Sequence, residues 1–271
     1  LRDITIGQHF PGHSVLHRCD PRLKLVGVIA YIIVLFLASN PLGITLSLGM
    51  LVLLYGVARI PLRLILKSLK PILPIILFTA VLNLFFISGE GEPLVQIWVL
   101  RIYREGVNYA VLMATRVVAL IAGTSLLTYT TSPIVLTDAI ESLLRPLQKL
   151  RFPVHELAMM MTIALRFIPT LIEETDKIMS AQKARGADLE SGGLTQRAKA
   201  LIPILIPLFV SSFRRADDLA LAMECRCYRG GEGRTRMKQL RLSSLDAAAA
   251  VVMAAMFGLI LALNTLFPPV L

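Results

Sequence analysis

The residues of this chain with chemistry to offer fall into small groups, and spacing decides most of them. His9, His13 and His17 recur at every fourth position with Cys19 close by, which on a helix would line up ligands for a transition metal. Pro11 and Gly12 fall inside that run and break the helix it needs, so structural or surface histidines are expected. Cys225 and Cys227 lack the second ligand pair that a zinc site requires. No G-x-x-x-x-G-K-[ST] phosphate loop occurs, so this chain is not expected to hydrolyse ATP or to hold a cofactor or metal of its own. What remains is a pair of arginine triplets, Ala184-Arg185-Gly186 and Cys225-Arg226-Cys227, each closing a long helix-like run. One arginine near a helix end needs no partner, because the macrodipole alone favours it by about 0.3–1 kcal/mol. Two near-equivalent triplets need another reason. Small neighbours leave each guanidinium open to a facing surface that offers carboxylates in bidentate geometry. These six residues are read as two docking points for cytoplasmic partner subunits.

The elements that must carry them follow from composition. With 55% hydrophobic and 17% charged residues and a mean hydropathy of +0.70, the chain departs from soluble domains and reads as an all-α, multi-pass membrane protein. The net charge of +10 suggests nucleic acid, but the bases cluster in short loops between apolar runs, as the positive-inside rule requires. Three cysteines without an extracellular pattern argue against a disulfide framework. Leu1–Asp20 has no apolar run, so no cleavable signal peptide is expected.

Apolar runs at about 23–39, 42–58, 69–87, 106–130 and 245–266 predict five spans. Pro71 and Pro74 lie near the start of the third. Between the third and fourth, Gly89-Glu90-Gly91-Glu92-Pro93 and the partly alternating stretch to Tyr103 predict a hairpin or loop at the outer interface, with Trp98 and Tyr103 as anchors. The segments with Arg18/Arg22/Lys24, with Arg59/Arg63/Lys67/Lys70, and the whole of 131–241 are basic, whereas 88–105 is not. That pattern places the N-terminus and 131–241 in the cytoplasm and the C-terminus outside.

Three parts result: 1–130 with four spans, 131–241 as a cytoplasmic arm of long coupling helices, and 242–271 with the last span. In the arm, Ser132-Pro133 opens a helix ending near Arg145-Pro146. A second helix runs from about Pro153 to Gly186, and a third from about Thr195 to Cys227 carries Pro203 and Pro207, where a bend is expected. Met159-Met160-Met161 is either filler or an adaptable surface for a membrane partner. Arg116 and Arg166 lie in apolar surroundings and are expected to pair with acids or helix-end carbonyls.

The two triplets, the opening Gly7-Gln8-His9-Phe10-Pro11-Gly12, the stretch Leu16 to Leu25, and the five-span layout with an arm resemble the transmembrane coupling (T) component of energy-coupling-factor (ECF) type ABC transporters. The likeness covers essentially the whole chain. It implies a scaffold of an ATP-driven vitamin or micronutrient importer, in which the two arginines enter grooves of two ABC ATPase subunits. Those subunits bind ATP and magnesium, the membrane part holds a substrate-binding S component, and the arm relays hydrolysis to it. Ala184, Arg185 and Gly186 match the first motif in full. Arg226 matches the second, with Cys225 and Cys227 in place of the usual neighbours. The resemblance implies a bacterial or archaeal cell membrane. Two rivals are an ion-gradient-driven secondary transporter, which would show internal repeats and polar mid-span groups, and an intramembrane protease. Glu173-Glu174 could open the Glu-Glu-x-x-x-Arg motif of the latter, but Ile178 occupies the arginine position.

Overall fold

The computed structural model describes residues 10–38, 40–87, 95–97, 100–187, 193–231, 240 and 242–266. The fold is built from helices: α1 Val15–Arg18, α2 Pro21–Leu37, α3 Pro41–Ala58, α4 Leu62–Leu69, α5 Leu73–Phe86, α6 Arg104–Thr130, α7 Pro133–Leu144, α8 Val154–Ala184, α9 Leu194–Cys225 and α10 Ser244–Leu266. A short antiparallel hairpin pairs β1 (Val95–Ile97) with β2 (Leu100–Ile102), with Val95 opposite Ile102. The described residues divide into two compact units, one within 140–238 and the other within 7–139 together with 239–271.

In the second of these units the signals in the sequence decide where helices begin. Asp20 caps α2 by accepting the Arg22 N–H at 2.8 Å, and Pro21 fills the first helical position, where its missing N–H costs nothing. Asn40-Pro41 opens α3 in the same order. α6 is the hub and packs on α2, α3, α4 and α5. Half of the residues on its buried face are glycine or alanine: Gly106, Ala110, Ala119, Ala122 and Gly123. Small residues let helix backbones approach closely where lipid supplies no hydrophobic drive between helices. At Gly123 a side-chain methyl would fall 2.6 Å from the Tyr31 ring, and at Gly106 it would press on the Leu84 carbonyl. Tyr31, Leu35, Leu51, Tyr55, Leu126 and Tyr129 complete the core around that face. The outward faces are apolar too, with Ile33, Phe36, Val52, Leu53, Phe78 and Val251 all exposed, as expected of surfaces that meet acyl chains rather than water.

By length and composition α3, α6, α8 and α10 are each able to cross a membrane, and α4 with α5 could form one broken span. α2, at 17 residues, covers about 25 Å of the ~30 Å hydrocarbon thickness. The run expected as one span over 69–87 differs from its reading. It is interrupted at 70–72 and bends by 63° between α4 and α5, because Pro71 has no N–H to continue the ladder. The hairpin lies where a hairpin or loop is expected. Trp98, Glu90 and Glu92 fall outside the described residues, and Tyr103 precedes α6 as its N-cap.

The other unit begins within α7, which gives way to a 3₁₀ turn, Arg145–Leu150. α8 and α9 pack against each other in antiparallel sense: Glu174 accepts from Ser211 and, at 2.5 Å, from Arg215, and Gln182 donates to the Pro203 carbonyl at 3.3 Å. That last bond has a cause in the sequence. The Pro203 carbonyl would normally accept from residue 207, which is also proline, so a side chain from α8 takes the vacated place. α9 continues as one helix through both prolines, and α8 through Pro169.

Both long helices end in the same way. At α8, Gly186 N–H bonds to the Lys183 carbonyl and Ala187 N–H to that of Gln182, with Gly186 at φ +85°. At α9, Cys227 N–H bonds to the Glu224 carbonyl and Tyr228 N–H to that of Met223, with Cys227 at φ +53°. Each is a complete Schellman motif. Only the first has the glycine that the left-handed position favours.

Two outcomes follow from this packing. Gly123→Ala is expected to lower the thermal unfolding midpoint in detergent by the equivalent of about 1–3 kcal/mol, and Tyr31→Leu in the same chain is expected to relieve part of the loss. Cys227→Gly removes ~1–2 kcal/mol of left-handed strain and adds about 0.5–1 kcal/mol of unfolded-chain freedom. The balance favours glycine, so amide exchange at residues 227 and 228 should slow; faster exchange would show that the cysteine is not strained.

Candidate functional site

Arg185 and Arg226 occupy equivalent places: each is the first residue beyond its helix, at φ −85°, ψ 7° and φ −91°, ψ 13° respectively. The backbone that presents them is therefore nearly the same twice over. Ala184 and Cys225 close the helices, Gly186 and Cys227 turn the chain away, and all six residues are exposed. Among the described residues neither guanidinium meets a hydrogen-bond acceptor or a carboxylate. Each stands beside the carbonyl end of a helix of about thirty residues, where the macrodipole favours its charge without consuming its donors. Five N–H donors per guanidinium are left for an incoming surface.

The two arginines lie at opposite ends of the α8–α9 pair. Gln182, three residues before Arg185, meets Pro203 near the start of α9. At the other end, Gly231, just past Arg226, sits against the ring of His155 at the start of α8, so close that a methyl would fall 2.7 Å from it. At ~1.5 Å of rise per residue, the 23 residues from Pro203 to Arg226 separate the two ends by on the order of 35 Å if α9 is straight.

Several residues to which the sequence reading gives no part in this site hold this arrangement. Gln182 ties the Arg185 end of α8 to α9. Glu174, with Ser211 and Arg215, clamps the middle; the glutamate that could have opened a protease motif is an ion-pair partner. His155 contacts Glu141 of α7 at 3.1 Å. The one clue in sequence was the i, i+4 spacing of Pro203 and Pro207, which frees a carbonyl and calls for a donor.

The other sequence-selected residues fall elsewhere. On α8, Met159 is half-buried and Met160 and Met161 are exposed at 54% and 44%, beside the buried Val154 and Ala158. Arg116 is buried in α6 and donates to the Ala38 carbonyl at the end of α2, at 2.6 Å, the helix-end carbonyl kind of partner expected of it. Arg166 is exposed on α8. The ring of His17 bonds Ser14 Oγ at 2.7 Å and the Phe10 carbonyl at 3.1 Å; His9, with Gly7 and Gln8, lies outside the described residues. Cys19 is buried and donates to the Val15 carbonyl; burial first, then the Asp246 carboxylate, pushes its thiol pKa up, which keeps it protonated and unreactive. No group of three His, Cys, Asp or Glu side chains among the described residues could hold a metal ion.

Comparison with known proteins gives one answer along nearly the whole chain. The family described as "Cobalt transport protein" (CbiQ) matches residues 12–237. The energy-coupling factor transporter transmembrane protein EcfT of Acidaminococcus fermentans is 55% identical over 260 residues, 96% of each chain. The protein of the same name from Clostridium kluyveri is 57% identical over 251 residues, 93% of each. That of Bacillus subtilis is 46% identical over 261 residues, 96% of this chain and 98% of its own. Likeness at this level leaves no room for a different fold, and it agrees with the apolar helices: the chain belongs to the energy-coupling factor transporter transmembrane proteins.

Proposed function

We propose that this chain is the membrane scaffold of an ATP-driven importer of a vitamin or other micronutrient. Two ABC ATPase subunits dock on Arg185 and Arg226, a substrate-binding S component is held by the membrane side, and the α8–α9 arm carries motion from one to the other. The observation that carries the reading is the duplicated helix end: one exposed arginine, one backbone geometry, two copies at the two ends of a helical pair. A pair of similar ATPases presents two similar sockets, and a matched pair of plugs is what fits them. Apolar surface supports the S-component part. Ile202, Ile206, Phe209 and Phe213 are exposed along α9, as are Met160 and Met161 on α8, and methionine suits a surface that accepts more than one partner.

Mechanistically, ATP bound between the two ATPases draws them together, and release after hydrolysis lets them part. Each carries an arginine-bearing helix end, so their separation sets the angle between α8 and α9. The clamp at Glu174 and Arg215 makes the two helices move as levers about a common point, and the apolar arm surfaces pass that rotation to the S component. ATP and magnesium stay with the ATPases; this chain contributes position and force. In the cell membrane, the N-terminus and the arm face the cytoplasm and the C-terminus faces outward, following the basic segments.

Charge reversal tests docking. Arg185→Glu and Arg226→Glu should each weaken ATPase capture by about thirtyfold or more, as expected when one side of a close charge pair is lost and replaced by repulsion, while insertion of the chain into membranes is unchanged. A double variant that still co-purifies with a coupled ATPase pair would refute the docking assignment. Orientation is read from native thiols. In the chain expressed without partners, Cys225 and Cys227 should react with a membrane-impermeant maleimide in inverted vesicles and stay unlabelled in intact cells; labelling of intact cells would reverse the topology.

A further inference from the structure

The segment 59–70 takes no part in the arm. Between Pro21 and Gly89 the sequence contains no aspartate or glutamate, yet Arg59, Arg63, Lys67 and Lys70 crowd into this one short stretch. On α4 these bases form a row. Arg63 and Lys67 are four apart, and Lys70, at the helix end with helical φ and ψ, is three further on, so the three fall within roughly 60° of arc at 3.6 residues per turn. All four bases are exposed. Among the described residues none of them has an ion-pair partner.

α4 has two other faces. On one, Leu64 and Ile65 pack against the main core, and the Leu64 carbonyl accepts the Tyr129 hydroxyl at 3.0 Å. On the other, Leu62 and Leu66 are exposed at 75% and 67%. A short helix with a core side, a bare leucine side and a basic side suits one boundary only, where hydrocarbon gives way to headgroups. Its position in the unit agrees. Tyr129 lies at the end of α6, whose Thr130 carbonyl accepts from Lys24 at the start of α2, so α4 sits where these spans terminate. The 63° bend from α5 turns α4 away from the direction of that span.

We infer that α4 is an interfacial helix whose Arg63–Lys67–Lys70 row, with Arg59, binds the phosphate groups of anionic phospholipids, while Leu62 and Leu66 enter the acyl region beneath. An acidic protein surface would satisfy the bases but leave two leucines in water; a phospholipid supplies phosphate and hydrocarbon together. The inference rests on the chain being a membrane protein and is independent of ATPase docking.

The experiment uses the full chain in mixed micelles of phosphatidylglycerol and phosphatidylcholine, with retained lipid counted by native mass spectrometry. Each base near an anionic surface is worth about fivefold in preference, the equivalent of ~1 kcal/mol, so Arg63→Gln/Lys67→Gln/Lys70→Gln should cut the preference for phosphatidylglycerol by on the order of a hundredfold. A control that removes the same charge from exposed arm positions, Lys177→Gln/Lys199→Gln/Arg214→Gln, should keep it, as should the charge-preserving Arg63→Lys. Inorganic phosphate should not displace the lipid. The inference is overturned by an unchanged preference in the triple variant, by an equal loss in the arm control, or by displacement with inorganic phosphate. It is also overturned if the triple variant retains phosphatidylglycerol but no longer captures its ATPase subunits, which would make the row a protein contact.

Discussion

In hydrocarbon, a carbonyl oxygen that loses its helical partner has no water to turn to, at a cost of several kcal/mol. Much of this structure is organised around meeting that demand. The end of α2 is closed by Arg116, which reaches the Ala38 carbonyl, and by Asn264, which reaches that of Leu37 at 2.9 Å. Near the end of α10, the Leu263 carbonyl accepts from Asn40 at 3.5 Å. The end of α6 is closed by Lys24 on the Thr130 carbonyl. Each donor comes from an element distant in sequence. The bonds that satisfy the backbone are therefore also the ones that fix which helix stands beside which. A buried arginine in a span, costly alone, becomes a tie between α6 and α2.

A carbonyl without its helical partner occurs in the arm too, with different consequences. There the prolines create the vacancy: Pro207 leaves the Pro203 carbonyl open, and Gln182 fills it. Since Gln182 stands one turn before Arg185, the bond that repairs the backbone of α9 also anchors the helix end that presents the first arginine. The two Schellman ends settle the remaining carbonyls locally, with the backbone's own N–H groups, so the arginines need not be spent on capping. A guanidinium with nothing to cap remains available.

How far the sequence discloses this can be judged residue by residue. The apolar runs expected from about 23 and 42 begin as helices at Pro21 and Pro41, because a proline's fixed φ acts locally and, at α2, Asp20 adds a side-chain cap. The ends of α8 and α9 are equally legible, since a small residue, an arginine and a turn-forming residue repeat. The break at Pro71 is hidden by composition: the residues on either side are apolar, and hydropathy averages across a bend. The partners of Arg116 and Gln182 are not readable from either residue alone, because they depend on which helices the fold brings together. Pro203 and Pro207 mark the position that needs a donor without naming the donor.

The two units also differ in what holds them. The spans share a continuous core around the buried face of α6, whereas the arm buries few side chains, Val154, Ala158 and Ile204 among them. Its long helices meet through a polar clamp at Glu174 and leave Ile206, Phe209 and Phe213 bare. At about 25 cal/mol per Å² of apolar surface removed from water, such a face is a reserve of binding energy that the chain alone does not use. Two long helices joined by a polar clamp keep these apolar sides exposed, and that is the property on which the proposed coupling role draws.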